Sequence, residues 1–266
     1  MTKDEVRNMA KDWLKKGVVK GVIGLKAHNG NVAPHLFLKA EEVDSLVLSP
    51  KYPLSTVCRK IQSKHPDIKL GIVAFGCDER ALIELAKREQ VNLKNIEILG
   101  VACSEADAKE CRCERPYPKQ LKIGEKVEGV KDERIDKLLK MNPEKVFDFW
   151  KRQFNKCMKC YGCRNVCPVC FCKDCELEQD IAVKGGRIPP DFPTFHLIRA
   201  FHTAGTCIAC GQCEKTCPMH IPLTILYSML RKDVKELFDY ESGQDVDQKL
   251  PLNTTFEESP IKEETV

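Results

Sequence analysis

Eight of the sixteen cysteines in this 266-residue chain fall into two runs of one spacing: Cys157, Cys160, Cys163 and Cys167 before Pro168, and Cys207, Cys210, Cys213 and Cys217 before Pro218. The pattern C-x₂-C-x₂-C-x₃-C-P wraps backbone around one corner of a cubane [4Fe–4S] cluster and sends the fourth thiolate to the other cluster of a pair. Two-residue gaps let three successive thiolates converge on three irons, and the proline turns the chain away after the fourth. On this crossed scheme Cys157, Cys160, Cys163 and Cys217 hold one cluster, and Cys207, Cys210, Cys213 and Cys167 hold the second. The pairing ties the two runs together, and the chemistry it suggests is electron transfer.

Other uses of cysteine fit less well. Structural zinc takes two-plus-two ligand blocks that close a tetrahedron, whereas each run here offers four thiolates and a trailing proline. Disulfides are disfavoured because the sequence opens MTKDEVRNMA with no apolar signal segment. That opening points to a reducing cytoplasm, where thiols stay free or bind metal. A 42% hydrophobic and 31% charged composition suits one large or two modest globular domains. The 43 basic residues are interspersed with 39 acidic ones for a net charge of +4, so no nucleic-acid footprint stands out. No apolar stretch approaches the roughly 18 residues that span a bilayer.

Val6, Met9, Ala10, Trp13 and Leu14 recur at helical spacing before Gly17, which predicts an amphipathic helix over residues 4–16 packed on a sheet. β-branched runs at Val18–Leu25, Val43–Leu48, Lys69–Phe75 and Ile96–Val101 alternate with helical patterns from near Ser55 and Asp78. The alternation predicts an α/β domain with a small, mostly parallel sheet over residues 1–125. A charged helical linker follows over 126–150, with its pattern running from Lys131 to Phe154. An α+β, ferredoxin-like domain for two clusters is expected over 151–240. It includes the GGRIPPDFP loop, a TFHLIRAFH helix leading into Cys207, and an amphipathic helix within Ile221–Tyr240. From 241 to 266 the chain is polar and acidic and reads as a flexible tail.

The remaining eight cysteines form two groups. Cys77 and Cys103 follow predicted parallel strands, at the sheet edge where open α/β folds carry ligands. Cys58, Cys111 and Cys113 can join them around a third [4Fe–4S] cluster, although single cysteines also serve as small buried hydrophobes. Cys170, Cys172 and Cys175 crowd behind Pro168 as candidates for a fourth cluster whose fourth ligand the spacing does not identify. Lys156, Lys159, Arg164, Lys173 and Lys215 stand near the ligands, where they can raise potentials, dock an acidic partner or remain solvated charges. His196 and His202 share the helix before Cys207, with packing as the expected role. No nucleophile arrangement and no Walker or Rossmann glycine pattern occurs, so no catalytic residue is assigned. Asn29-Gly30-Asn31 and Gly76 could approach a flavin closely, or form plain turns.

The pieces GVVKGVIGL, KYPLS and GIVAFGCDERALIELAKREQVNLKNIEILGVACS resemble the beta subunits of deazaflavin-reducing hydrogenases and formate dehydrogenases. Cys77 and Cys103 match that family's two strand-end cysteines. RNVCPVCFCKDC is similar to the cysteine-rich stretch of formate dehydrogenase beta subunits, and AFHTAGTCIACGQCEKTCPMHIPL to dicluster modules of heterodisulfide-reductase-type assemblies. Two departures stand out: the Ser-Gly-Gly-like segment of flavin-binding members is missing, and Phe75-Gly76 replaces the typical Thr-Pro. The resemblance implies a non-catalytic iron–sulfur subunit of a cytoplasmic, multi-subunit oxidoreductase of anaerobic metabolism. Its partners would be catalytic and flavin subunits and a soluble carrier such as ferredoxin. The alternative it implies is a subunit that binds FAD and reduces a deazaflavin or similar acceptor.

Overall fold

A computed structural model describes residues 2–250, which divide into two compact units. Residues through Val130, with Gly243–Asp247, form the first; Lys131–Ser242 form the body of the second. The expected flexible tail is described only as far as residue 250, and residues 251–266 lie outside the described part.

The first unit is α/β, with a mixed and mostly parallel six-stranded sheet. Its strands are β1 (Gly21–His28), β2 (Asn31–Phe37), β3 (Leu46–Val47), β4 (Leu70–Ala74), β5 (Ile96–Val101) and β6 (Leu121–Ile123). The order is β2-β1-β4-β5-β6, with β3 also paired to β1. The β1–β4, β4–β5 and β5–β6 ladders are parallel, and β2 and β3 run antiparallel to β1.

Helix α1 (Thr2–Lys15) lays Val6, Met9, Ala10 and Trp13 against Val22, Phe37, Val73, Leu99 and Val101. The alternate residues Ile23, Ile72 and Ile98 are buried too, so both faces of the central strands are covered. Strand β2 was not foreseen in the sequence. Asn29-Gly30 forms its hairpin turn, and both residues take positive φ (49° and 75°), the conformation a tight two-residue connection requires. The first half of the expected strand over 43–48 belongs to a 3₁₀ turn (Ala40–Ser45), with two strand residues after it.

Helices α2 (Leu54–Gln62) and α3 (Gly76–Ala86) are joined at their starts by one buried carboxylate. Asp78 accepts the N–H groups of Leu54, Ser55 and Phe75. Burial outweighs those bonds and raises its pKa to about 6. Glu79 accepts the N–H groups of Lys119 and Gln120, fixing the loop before β6 onto α3. Helix α4 (Glu105–Cys111) opens on a reciprocal Ser104–Asp107 capping box. Gly243 donates its N–H to Glu84 on α3 at 2.6 Å, and Lys119 reaches the Gln244 carbonyl, so part of the expected tail packs in this unit.

The second unit is helices and turns. Its helices are α5 (Glu133–Leu139), α6 (Pro143–Phe154), α7 (Gly162–Asn165), α8 (Thr194–Thr203), α9 (Gln212–Lys215) and α10 (Leu223–Phe238). The helical pattern expected from Lys131 to Phe154 is broken where Asn142 caps α6 and Pro143 takes its first position. The strands expected of an α+β domain are missing among the described residues of this unit, and the cysteine runs show why. Lys159 and Tyr161 take positive φ (52° and 57°), as do Ala209 and Gly211 (53° and 72°), which lie fifty positions on. A backbone that keeps turning left-handed cannot pair as a strand.

Candidate metal centre

Each run repeats one backbone trace. The N–H of Lys159 points at the Cys157 sulfur at 3.4 Å, and its counterpart, the Ala209 N–H, acts on Cys207. One-turn helices α7 and α9 follow, then Cys167 donates to the Arg164 carbonyl and Cys217 to that of Glu214. Cys170 and His220 close matching turns on Cys167 and Cys217. This internal two-fold repeat turns backbone amides toward sulfur, the arrangement that stabilises negative charge on thiolates.

The thiols group across the runs. Burial pushes the Cys157 thiol up to about 11, and the charges of Cys163, Cys217 and Cys160 add to it. Cys163 is raised by burial and then by Cys160 and Cys217, against the opposing charge of Arg199. In the other group, burial raises Cys207, Cys210 and Cys213, and Cys167 of the first run acts on all three. Cys163 of the first run also acts on Cys213, so thiols of the two runs lie close together, and most of these influences follow the crossed scheme expected from the spacing.

Whether these quartets suit an iron–sulfur cluster can be judged from the polar atoms around them. The Tyr227 hydroxyl and the Arg199 Nε are buried without a hydrogen-bond partner. Both side chains stand where the charges of Cys163 and Cys167 act on them. Buried donors left open beside converging thiols fit a cluster whose sulfur atoms accept hydrogen bonds. Thiols that repel one another when ionised need a cation to deprotonate them together, as a bound metal does. Among the described residues, no three His, Cys, Asp or Glu side chains are set to hold a single metal ion. A four-iron cube instead takes thiolates spread around its corners.

Cys170, Cys172 and Cys175 lie close enough to interact. Burial pushes Cys170 up to about 11, with Cys167, Cys172 and Cys175 adding and Arg199 opposing. Arg164 reaches the Cys175 sulfur while paired to Glu178 at 2.7 Å.

Of the five cysteines expected around a third cluster, Cys103 and Cys113 lie close enough to act on one another. Cys103, just past β5, feels Cys113 and Lys51. Lys51 also pairs with Asp107 at 2.9 Å and lies 4.3 Å from the centre of the Phe75 ring. An Arg80 N–H points at the Cys113 sulfur at 3.9 Å. Cys77 packs half-buried on the sheet core, and Cys111 ends α4, also half-buried. Cys58 is fully buried on α2, where burial alone pushes its thiol up to about 12, so it behaves as a small core residue. The glycines that could have approached a flavin are used otherwise. Asn29-Gly30 is the hairpin turn, and a Cβ on Gly76 would stand 2.5 Å from the Tyr117 carbonyl oxygen.

His196 packs, as its sequence context suggests: its ring stacks on Phe154 at 3.9 Å and 7°, and its Nδ1 has no partner. Burial lowers its pKa to about 4, so the unfolded chain binds its proton first and stability falls as pH drops from about 6.5 toward 4. At pH 5 this loss is about 2 kcal/mol. Denaturant midpoints at pH 7.5 and pH 5 should therefore differ less for His196→Phe than for the unaltered chain, and equal differences would refute this assignment.

Arg199 and Tyr227 escaped the sequence reading. The one available signal was an arginine at helical spacing with Phe195, His196, Ala200 and Thr203, the buried face of α8.

No family model matches the chain. It is 38% identical over 143 residues to the F420-dependent formate dehydrogenase subunit beta of Methanocaldococcus jannaschii, a match covering 53% of this chain and 37% of that protein. It is 26% identical to the F420-dependent formate dehydrogenase 1 subunit beta of Methanococcus maripaludis, over an alignment of 350 positions that covers 90% of each. The curated homologues of this chain are thus beta subunits of F420-dependent formate dehydrogenases, the family that its strand and cysteine motifs resemble.

Proposed function

We propose that this chain is an electron-transfer subunit of a multi-subunit oxidoreductase of the formate dehydrogenase type. It would relay electrons through two [4Fe–4S] clusters in a ferredoxin-like arrangement, beside catalytic and flavin-bearing partner subunits and a soluble carrier. The closeness of thiols from the two cysteine runs, which act on one another across the runs, supports this reading most. Such clusters, when bound, accept and release one electron each without transforming a substrate. The chain's own residues would fix the thiolates, keep water from them with Phe154, Ile221, Leu223 and Tyr227, and aim amide hydrogens at the sulfurs. No helix among the described residues is long and apolar enough to cross a membrane. A reducing compartment such as the cytoplasm is proposed because free thiols must persist until metal arrives.

Anaerobic purification followed by iron analysis tests the proposal. About 8 irons per chain, with a visible absorbance that dithionite bleaches reversibly, is the expected result. About 12 would mean that one further cysteine group is loaded, and about 16 that both are. Zinc in place of iron, or metal-free protein with disulfides, would overturn the reading. Bound flavin absorbance would favour the alternative in which the first unit reduces a deazaflavin.

A further inference from the structure

The second unit buries one arginine among its cysteines. Arg199 on α8 is 3% exposed, and its Nη2 donates to the Cys163 carbonyl at 3.2 Å. Its guanidinium lies 5.7 Å from the centre of the Tyr227 ring, and its Nε has no partner. The charges acting on it most strongly are those of Tyr227, Cys167, Cys170 and Cys163, and it acts in turn on Cys163, Cys170, Cys207 and Cys213. Those sulfurs come from both runs and from the CFCKDC stretch. On the crossed scheme Cys163 belongs to the quartet of the first run, and Cys167, Cys207 and Cys213 to that of the second, so the arginine faces both.

Burying a guanidinium is costly unless anionic partners surround it. Here those partners are thiolates, which carry permanent negative charge only when metal is bound. We infer that Arg199 is a potential-setting residue, a fixed buried cation between the paired clusters that raises the reduction potential of both. Reduction adds one negative charge to a cluster, and a nearby cation in a poorly screened interior stabilises the reduced form more than the oxidised one. The role also accounts for α8, an insertion between the runs whose buried face carries this one charge to the sulfurs.

The inference rests on the proposed cluster content, and the two fail differently. Too little iron in the unaltered chain defeats the cluster reading; full iron with unmoved potentials defeats this one. The test is an EPR-monitored redox titration of the full chain with Arg199→Met, Arg199→Gln and Arg199→Lys. With iron retained at about eight per chain, Met and Gln are expected to shift the reduction equilibrium of the clusters at least tenfold toward the oxidised form. A tenfold change is 59 mV for one electron. Lys, which keeps the charge, should restore most of the wild-type value. Should Met fail to hold iron, the comparison of Gln with Lys decides. Unchanged potentials in the charge-removing variants, or a Lys variant that behaves like them, would reduce Arg199 to a packing residue.

Discussion

Replacing Cys163 and Cys217 together by alanine is expected to remove about four irons per chain, whereas replacing Cys207 and Cys217 together should remove about eight. On the crossed scheme the first pair lies in one quartet and the second is split between the two, a scheme supported by the action of Cys217 on Cys157 and Cys163 and of Cys167 on Cys210 and Cys213. If each run held its own cluster the outcomes would exchange: the Cys163 and Cys217 pair would empty both sites, and the Cys207 and Cys217 pair one. Iron and sulfide analysis of the two double variants, with Cys58→Ala as a control that keeps every iron, therefore discriminates the schemes without an activity assay. Equal losses from the two double variants would contradict the crossed pairing.

Gly100→Ala is the second large effect, and its cause is the approach of one strand to the chain leading into the next. A Cβ at this position in β5 would collide with the Gln120 carbonyl oxygen, and would stand 2.8 Å from that carbonyl's carbon and 2.9 Å from Pro118 Cγ. The Gln120 carbonyl is not free to move, since the Gln120 N–H is held by Glu79 and the next residue pairs with β5. The expected loss is about 3 kcal/mol, at the upper end of core overpacking. Gly30→Ala meets open space and pays only for positive φ, about 1 kcal/mol. Urea unfolding of the two variants, with hydrogen exchange at the Ala102 N–H that donates to Ile123, checks both magnitude and place. Equal stability of the two variants would rule the collision out.

What could be read from the sequence followed from short-range patterning. The Ile96–Val101 strand matches its prediction end to end, because a β-branched run between turns has one reading. Helix α8 likewise spans the TFHLIRAFH stretch. The hairpin strand β2 was hidden because NVAPHLF carries a proline and mostly exposed residues, although Asn29-Gly30 was its signal. The cysteine runs announced through spacing alone that their thiols would converge, as the matching backbone turns of the two runs show. The first-unit cysteines did not sort themselves, since Cys58 and Cys103 differ in what surrounds them in space and not in sequence context. Arg199 was obscured because charge on a helix usually faces water, and only packing shows that this one does not.

The return of Gly243–Asp247 to the first unit bears on how the protein can be cut. The polypeptide leaves that unit near Val130 and comes back more than a hundred residues later. There Gly243 sits so close to Arg80 that any larger residue would clash, and its amide fills one acceptor site on Glu84. A fragment ending at residue 130 would therefore lack part of its own fold, and excision of either half should respect a discontinuous boundary. Limited proteolysis that nicks the 242–243 junction would sever this clasp while leaving every sulfur in place.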